Sequence, residues 1–174
     1  MTAAGASVLA ACTPVPGPVI LPTQSSADAH ATSSPTAAAS VQQQVMATVL
    51  GYTAAVTEAE KSRDAARARN LLSRYLAAGQ VDGMVASMRG VWAKGEIFIG
   101  VDVPHILRVT VQSDGAFAYD CDDTSSAGLE YSATGQVVPG STGIPDMNVI
   151  TWLSFVDGRW LVQFQTVVDE PCSA

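Results

Sequence analysis

Asn148-Val149-Ile150-Thr151-Trp152-Leu153-Ser154-Phe155-Val156-Asp157-Gly158-Arg159-Trp160-Leu161-Val162-Gln163-Phe164-Gln165-Thr166-Val167-Val168 is the stretch that decides the fold. Two runs of alternating apolar residues, Asn148 to Val156 and Trp160 to Val168, flank Asp157-Gly158. That pattern predicts a β-hairpin closed by a primed turn. The period of two recurs upstream in Ile97 to Val101, Leu107 to Val111 and Phe117 to Cys121, the last two joined at Ser113-Asp114-Gly115. Leu129 to Val138 reads as a small hairpin around Thr134-Gly135, and Pro139 to Pro145 as a Gly/Pro-rich loop.

Before Gly95 the period is helical. Val45, Val49, Tyr52 and Val56 are spaced four, three and four apart, which predicts a helix from Val41 to about Lys61. A second helix is expected with Ser62 or Asp64 at its start and Gly79 at its end, burying Ala65, Ala68, Leu72, Tyr75 and Leu76. Asp82 is placed to cap a third, carrying Val85, Met88 and Trp92. Helices followed by hairpin-linked strands make an α+β domain, N-terminal helices packed on a curved antiparallel sheet.

The chain has 174 residues, 48% hydrophobic and 14% charged, with a net charge of −7. No run of 18 apolar residues occurs, which excludes a complete transmembrane span in this sequence. An acidic chain lacks the clustered cations that phosphate backbones require, so no nucleic-acid partner is expected. The charge is uneven. Residues 41 to 94 carry seven basic and four acidic groups, whereas residues 95 to 174 carry two and eleven. Lys61, Arg63, Arg67, Arg69 and Arg74 form a basic run that reads as a solvated helix face or as one resting on anionic headgroups.

Residues 1 to 57 contain a single charged residue, Asp28. Between Thr13 and Gln44, 20 of 32 residues are Ser, Thr, Ala or Pro, a composition that buries too little apolar area to order itself. Residues 13–40 are therefore expected to be a disordered tether with a reach of about 30 Å. In front of it, Val8-Leu9-Ala10-Ala11-Cys12 resembles the lipobox of bacterial lipoproteins. That resemblance implies a diacylglyceryl group on Cys12, cleavage before it, and a membrane partner through the lipid anchor; two acyl chains make a stable anchor. No Lys or Arg precedes the apolar segment, so residues 1–12 are expected to be a truncated signal remnant.

Once Cys12 carries lipid, Cys121 and Cys172 remain as an even pair. A disulfide between them is expected in an oxidising compartment, the alternative being two free thiols. The spacing of the cysteines and the two scattered histidines predict neither a zinc site nor another metal site, and no cofactor motif occurs.

Val109-Thr110-Val111, Ala116-Phe117-Ala118-Tyr119-Asp120-Cys121-Asp122-Asp123, Ala133-Thr134-Gly135, Val156-Asp157-Gly158-Arg159-Trp160-Leu161-Val162 and Pro171-Cys172, set after N-terminal helices, resemble the NTF2-like superfamily. Within it, residues 41 to 172 are similar to small secreted actinobacterial lipoproteins of unassigned function. The resemblance implies a cone whose concave face is a pocket, used by some members for catalysis and by others for binding or dimerisation.

Three residues are candidates for that pocket: His105, Asp120 and Trp152. His105, at a strand entrance, could act as a general base paired with Asp120 or Glu130. Alternation sends Asp120 and Asp122 to one side of their strand and Asp123 to the other, so the Asp120 to Ser126 cluster reads as a strand end whose carboxylates cap a turn. Trp160 is expected in the core. No catalytic residue is assigned.

The sequence thus leads to three segments: the lipobox remnant 1–12, the tether 13–40 and an NTF2-like α+β domain 41–174. The expected protein is an extracytoplasmic lipoprotein, held on the outer face of the cell membrane, that binds a small ligand or protein partner without catalysis. The alternatives are an isomerase- or cyclase-type enzyme using the cone, and a structural accessory subunit able to form a homodimer through its open sheet face.

Overall fold

A computed structural model describes residues 35–170 and 172; the lipobox, Cys12 and the tether up to residue 34 lie outside the described residues. The apolar stripe of Val45, Val49 and Tyr52 holds α1 (Pro35–Ser62) against the rest of the domain, and all three side chains are buried. The helix starts six residues before Val41, inside the stretch read as tether, on a proline whose fixed φ suits a first helical position. Arg63 at φ 52° breaks it. Asp64 then caps α2 (Ala65–Leu72), its carboxylate accepting from the backbone N–H groups of Ala66 and Arg67.

The second helix ends seven residues before Gly79, contrary to the sequence reading. The reason is tertiary: the Tyr75 carbonyl accepts from the Val162 N–H at 2.7 Å, and Leu76 bridges to Val162, so the chain leaves the helix to dock on the last strand. Helix α3 (Ala78–Ala93) therefore contains both Gly79 and Asp82. Asp82 is no cap; it pairs with Arg69 of α2. Val81, Val85 and Met88 are buried and Trp92 packs beside them.

Six strands follow: β1 (Glu96–Ile99), β2 (Ile106–Val111), β3 (Ala116–Asp122), β4 (Gly128–Tyr131), β5 (Met147–Val156) and β6 (Arg159–Val168). Four make an antiparallel sheet in the order β2-β3-β5-β6. Asp157 and Gly158 both take positive φ, 50° and 79°, as the primed turn of the β5–β6 hairpin requires. Irregularities between Ile106 and Arg108 and between Trp152 and Leu153 interrupt the register, and bulges of this kind bend a sheet. The predicted hairpin around Thr134-Gly135 is only partly present. Its turn forms, but Glu130 faces Val137 in an isolated bridge, and β4 takes β1 as its strand partner in a separate two-stranded sheet.

The fold class is α+β, with three helices packed against antiparallel sheet. The inner face carries Ala116, Ala118, Thr151, Leu153 and Val162 against Val45, Val49 and Leu72, all essentially inaccessible. The outer face carries Phe117, Tyr119 and Trp152, with the Phe117 and Trp152 ring centroids 4.4 Å apart and the Arg108 guanidinium 4.1 Å above the Tyr119 ring. Cys121 alternates to that side and bonds Cys172, with a Cα–Cα distance of 5.6 Å across a separation of 51 residues. The C-terminal segment is further held by hydrogen bonds from Asn148 Nδ2 to the Glu170 carbonyl and from the Cys172 N–H to the Asp146 carbonyl. Among the described residues no helix is long and apolar enough to cross a membrane.

Candidate functional site

The register of β3 sets the site. Its inner-face residues run Ala116, Ala118, Asp120, Asp122, so the row that starts as core ends as two carboxyls. Asp120 stands opposite Ile106 and Val149, and Asp122 opposite Met147. Both are buried, at 2% and 7% exposure, and one carboxyl oxygen of each, Oδ1, is enclosed with no hydrogen-bond partner. These two residues do not cap the turn; only Asp123 does, accepting from the Ser125 N–H and hydroxyl. Those bonds hold the Asp123 carboxyl below its usual range.

A cavity of about 190 Å³ opens over Asp122, between α1 and the inner sheet face. Tyr52, Thr53 and Val56 of α1 form one wall, Met84 of α3 another, and Met147, Val149, Gln165 and Val167 of β5 and β6 the floor. Asp102, on the connection from β1 to β2, closes the rim. It also lines two shallower hollows, one shared with Val101 and Pro104, the other with Glu60 and Met147. Two glycines hold these connections in place. Gly100 has φ +71° and lies so close to the Ser126 carbonyl that a Cβ would overlap it, and a Cβ on Gly143 would strike Thr124.

The charges are of one sign. Glu60 lies one helical turn beyond Val56 on the α1 stripe, and burial, reinforced by the charge of Asp102 and opposed by Lys61, pushes its carboxyl up to about 7. Burial also raises Asp102. Burial first, then a hydrogen bond to Asp120 and the charges of Asp120 and Asp102, push Asp122 up to about 8. Burial raises Asp120 as well, opposed by its polar neighbours Asp122, His105 and Cys121. Burial thus raises the proton affinity of both carboxyls of the pair. Tyr52, 4% exposed, donates its hydroxyl to Met84 Sδ and is pushed up to about 12 by burial and then by Glu60. No Lys, Arg or His lines this cavity. No three described His, Cys, Asp or Glu side chains converge as a metal would require.

Of the residues expected in the pocket, Asp120 sits beneath the floor, one pleat behind Asp122. His105 is exposed; its carbonyl accepts from the Cys121 N–H, and its side chain is not part of the cavity wall. Trp152 lies on the outer face against Phe117, while Trp160 and Trp92 pack against the core. Cys12 is outside the described residues. Asp102 and Asp122 line the cavity, and Glu60 lines an adjoining hollow with Asp102; none of the three had been singled out as a pocket residue. Glu60 carried a legible signal, an acid at i+4 from Val56 on an apolar stripe. Asp102 carried none: alternation with Val101 and Val103 sends a charge to the solvent side, whereas the structure exposes the two valines and partly buries Asp102.

No family model matches this chain, and no curated protein matches it in sequence. Among solved structures, the intermembrane space region of the chloroplast protein ARC6 superposes with a TM-score of 0.53 at 10% identity, covering 73% of this chain and 95% of that one. The likeness is one of fold. A de novo designed β-sheet protein covers 75% of this chain and 92% of its own at 19% identity, but its TM-score of 0.36 carries no argument.

Proposed function

We propose that the chain is an extracytoplasmic lipoprotein, anchored to the outer face of the cell membrane through lipid on Cys12, whose NTF2-like domain binds a small molecule in the cavity over Asp122 without catalysis. One observation carries the binding: Asp122, a nine-tenths buried carboxyl residue, stands in a cavity wall that is otherwise mostly apolar. Ligand sites have this composition, an apolar lining with a few polar groups that fix orientation. The bent four-stranded sheet under three helices supports the cone reading, and the Cys121–Cys172 disulfide supports an oxidising compartment. The motif Leu9-Ala10-Ala11-Cys12 followed by a tether supports the anchor.

Acid/base catalysis of isomerase or cyclase type is a second reading, favoured by carboxyls held at about 7 and 8. It assigns the proton-carrying role to Asp122 rather than His105. Two measurements test the first reading. Mass spectrometry of membrane fractions is expected to find Cys12 diacylated, and a soluble, unmodified product of the full-length gene refutes the anchor. Amide NMR spectra recorded against a fragment library are expected to shift at Thr53, Val56 and Gln165; shifts confined to the outer face around Trp152 refute the cavity.

A further inference from the structure

We propose that the outer side of α1, with the basic seam it shares with α2, docks on an anionic lipid bilayer. Met46 and Leu50 enter the headgroup layer, and Lys61, Arg63, Arg67 and Arg74 meet its phosphates. These residues do not line the cavity over Asp122, and the face acts whether or not Cys12 carries lipid. From Pro35 to Thr57, about six turns, α1 carries no charged residue, although one side of it is open to solvent. Met46, Leu50 and Ala54 recur every fourth residue on that side, Met46 at 38% and Leu50 at 46% exposure. Leu50 and Ala54 border a shallow hollow with Val101 and Pro104, and Val101 is itself 42% exposed. The acids at this hollow are Glu58, which is paired, and Asp102, which is half-buried.

The same stripe continues to Glu58, whose carboxylate pairs with Arg67 of α2 at 3.6 Å. The Tyr75 ring lies so close to Gly51 that a β-carbon there would strike it. The segment from α2 through Tyr75 therefore runs beside α1 from residue 58 back to residue 51. Arg67 and Arg74 are seven residues apart and share one side of that segment. Arg63 stands at the corner between the two helices, and Lys61 lies in the last turn of α1. All four cations are exposed, and among the described residues Lys61, Arg63 and Arg74 form no ion pair. Asp64, the acid nearest that corner, is occupied by the N–H groups it caps.

Two demands meet on this face. Exposed Met and Leu side chains gain from an apolar phase, and unpaired cations gain from anionic groups. The boundary of an anionic bilayer supplies both within about 5–10 Å. A free phosphate or an acidic polymer answers the cations but leaves Met46 and Leu50 in water. Residues 95–174 carry eleven acidic groups against two basic, so the same surface repels the sheet half and one orientation remains, with the helices toward the lipid. Each cation near such a surface is worth about fivefold in affinity, so the three unpaired ones give at most about a hundredfold.

The test is co-sedimentation of the full chain carrying Cys12→Ser, which takes no lipid, with two kinds of vesicle: phosphatidylcholine alone, and equal parts phosphatidylglycerol and phosphatidylcholine. Binding to the anionic vesicles is expected to be at least about tenfold tighter at about 0.1 M salt and to fall to the neutral value near about 1 M, where charges are screened beyond about 3 Å. Lys61→Gln, Arg63→Asn and Arg74→Gln together are expected to abolish the preference; Asn suits the left-handed backbone at residue 63. Met46→Gln with Leu50→Gln is expected to weaken binding to the anionic vesicles at least about fivefold. Every substituted residue is exposed, and single substitutions at Arg74 and Leu50, with smaller effects, serve if a combined variant does not fold. Equal binding to both vesicles, binding to neither, or binding that survives both variants overturns the inference. So does loss in the charge variant with none in the apolar one, which is attraction to any acidic partner. In each case the cavity and the anchor at Cys12 stand, since neither uses these residues.

Discussion

Replacing Asp122 by Asn removes an ionisable group from the inner sheet face while keeping its size. In the native chain the Asp122 carboxyl is 7% exposed and held at about 8, against 3.8 in an ordinary setting. A carboxyl raised on folding adds stability that is fully present below its unfolded pKa and is lost as pH rises through its folded value. The sign is the reverse of that for a salt-bridged aspartate, so this domain is expected to gain stability on mild acidification. Each pH unit between those two values is worth about 1.4 kcal/mol per proton, so three units from pH 5 to 8 give an upper bound of about 4 kcal/mol. Relaxation and water entry reduce this, and a change of about 2–4 kcal/mol is expected. Urea unfolding of native chain and variant at pH 5, 6, 7 and 8 measures it. The variant is expected to be near the native chain at pH 5 and more stable by that margin at pH 8. Asp123→Asn, which alters an exposed turn carboxylate, is expected to leave the slope between pH 5 and 8 unchanged. A stability difference for Asp122→Asn that moves by less than about 0.5 kcal/mol across this range refutes the burial argument, because it means the carboxylate is already ionised and solvated at pH 5.

Two further perturbations test the frame around the site. Cys121→Ser opens a loop spanning 51 residues and is expected to cost about 4 kcal/mol by chain entropy, read in the same urea assay; non-reducing peptide maps of the oxidised protein should show the linked pair, and alkylation of both thiols there would falsify the bridge. Gly100→Ala forces a β-carbon onto the Ser126 carbonyl at φ +71° and is expected to cost about 2–4 kcal/mol while shifting the NMR signals of Asp102; a neutral effect refutes the tight approach of these two connections.

How much was legible depended on how far apart the deciding residues lie. The β5–β6 hairpin could be read directly because Asp157-Gly158 encodes its own turn and the alternation on either side fixes the register. The α1 stripe and the opposite sides taken by Asp122 and Asp123 were likewise legible, since they follow from period alone. The Cys121–Cys172 bridge followed from an even count once Cys12 was set aside. The end of α2 was not legible. Gly79 is a reasonable local stop, but the docking of Tyr75 and Leu76 on Val162 stops the helix earlier, and no local pattern announces a partner some 86 residues away. The same holds for β4, whose partner is β1 rather than its own hairpin neighbour.

The candidate site divides in the same way. By itself, the sequence determined an α+β domain with an acidic sheet half, and it placed Asp120 and Asp122 on one side of a strand. Only the tertiary structure decided which side that was. A polar run at a strand end reads as a solvated cap, and the reading fails for Asp120 and Asp122 because packing over the inner face buries both carboxyls. Bringing Glu60, Asp102 and Asp122 together takes a helix, a connection and a strand that meet only after the chain has folded. Their raised proton affinities come from the burial that this packing imposes and from none of the three segments alone.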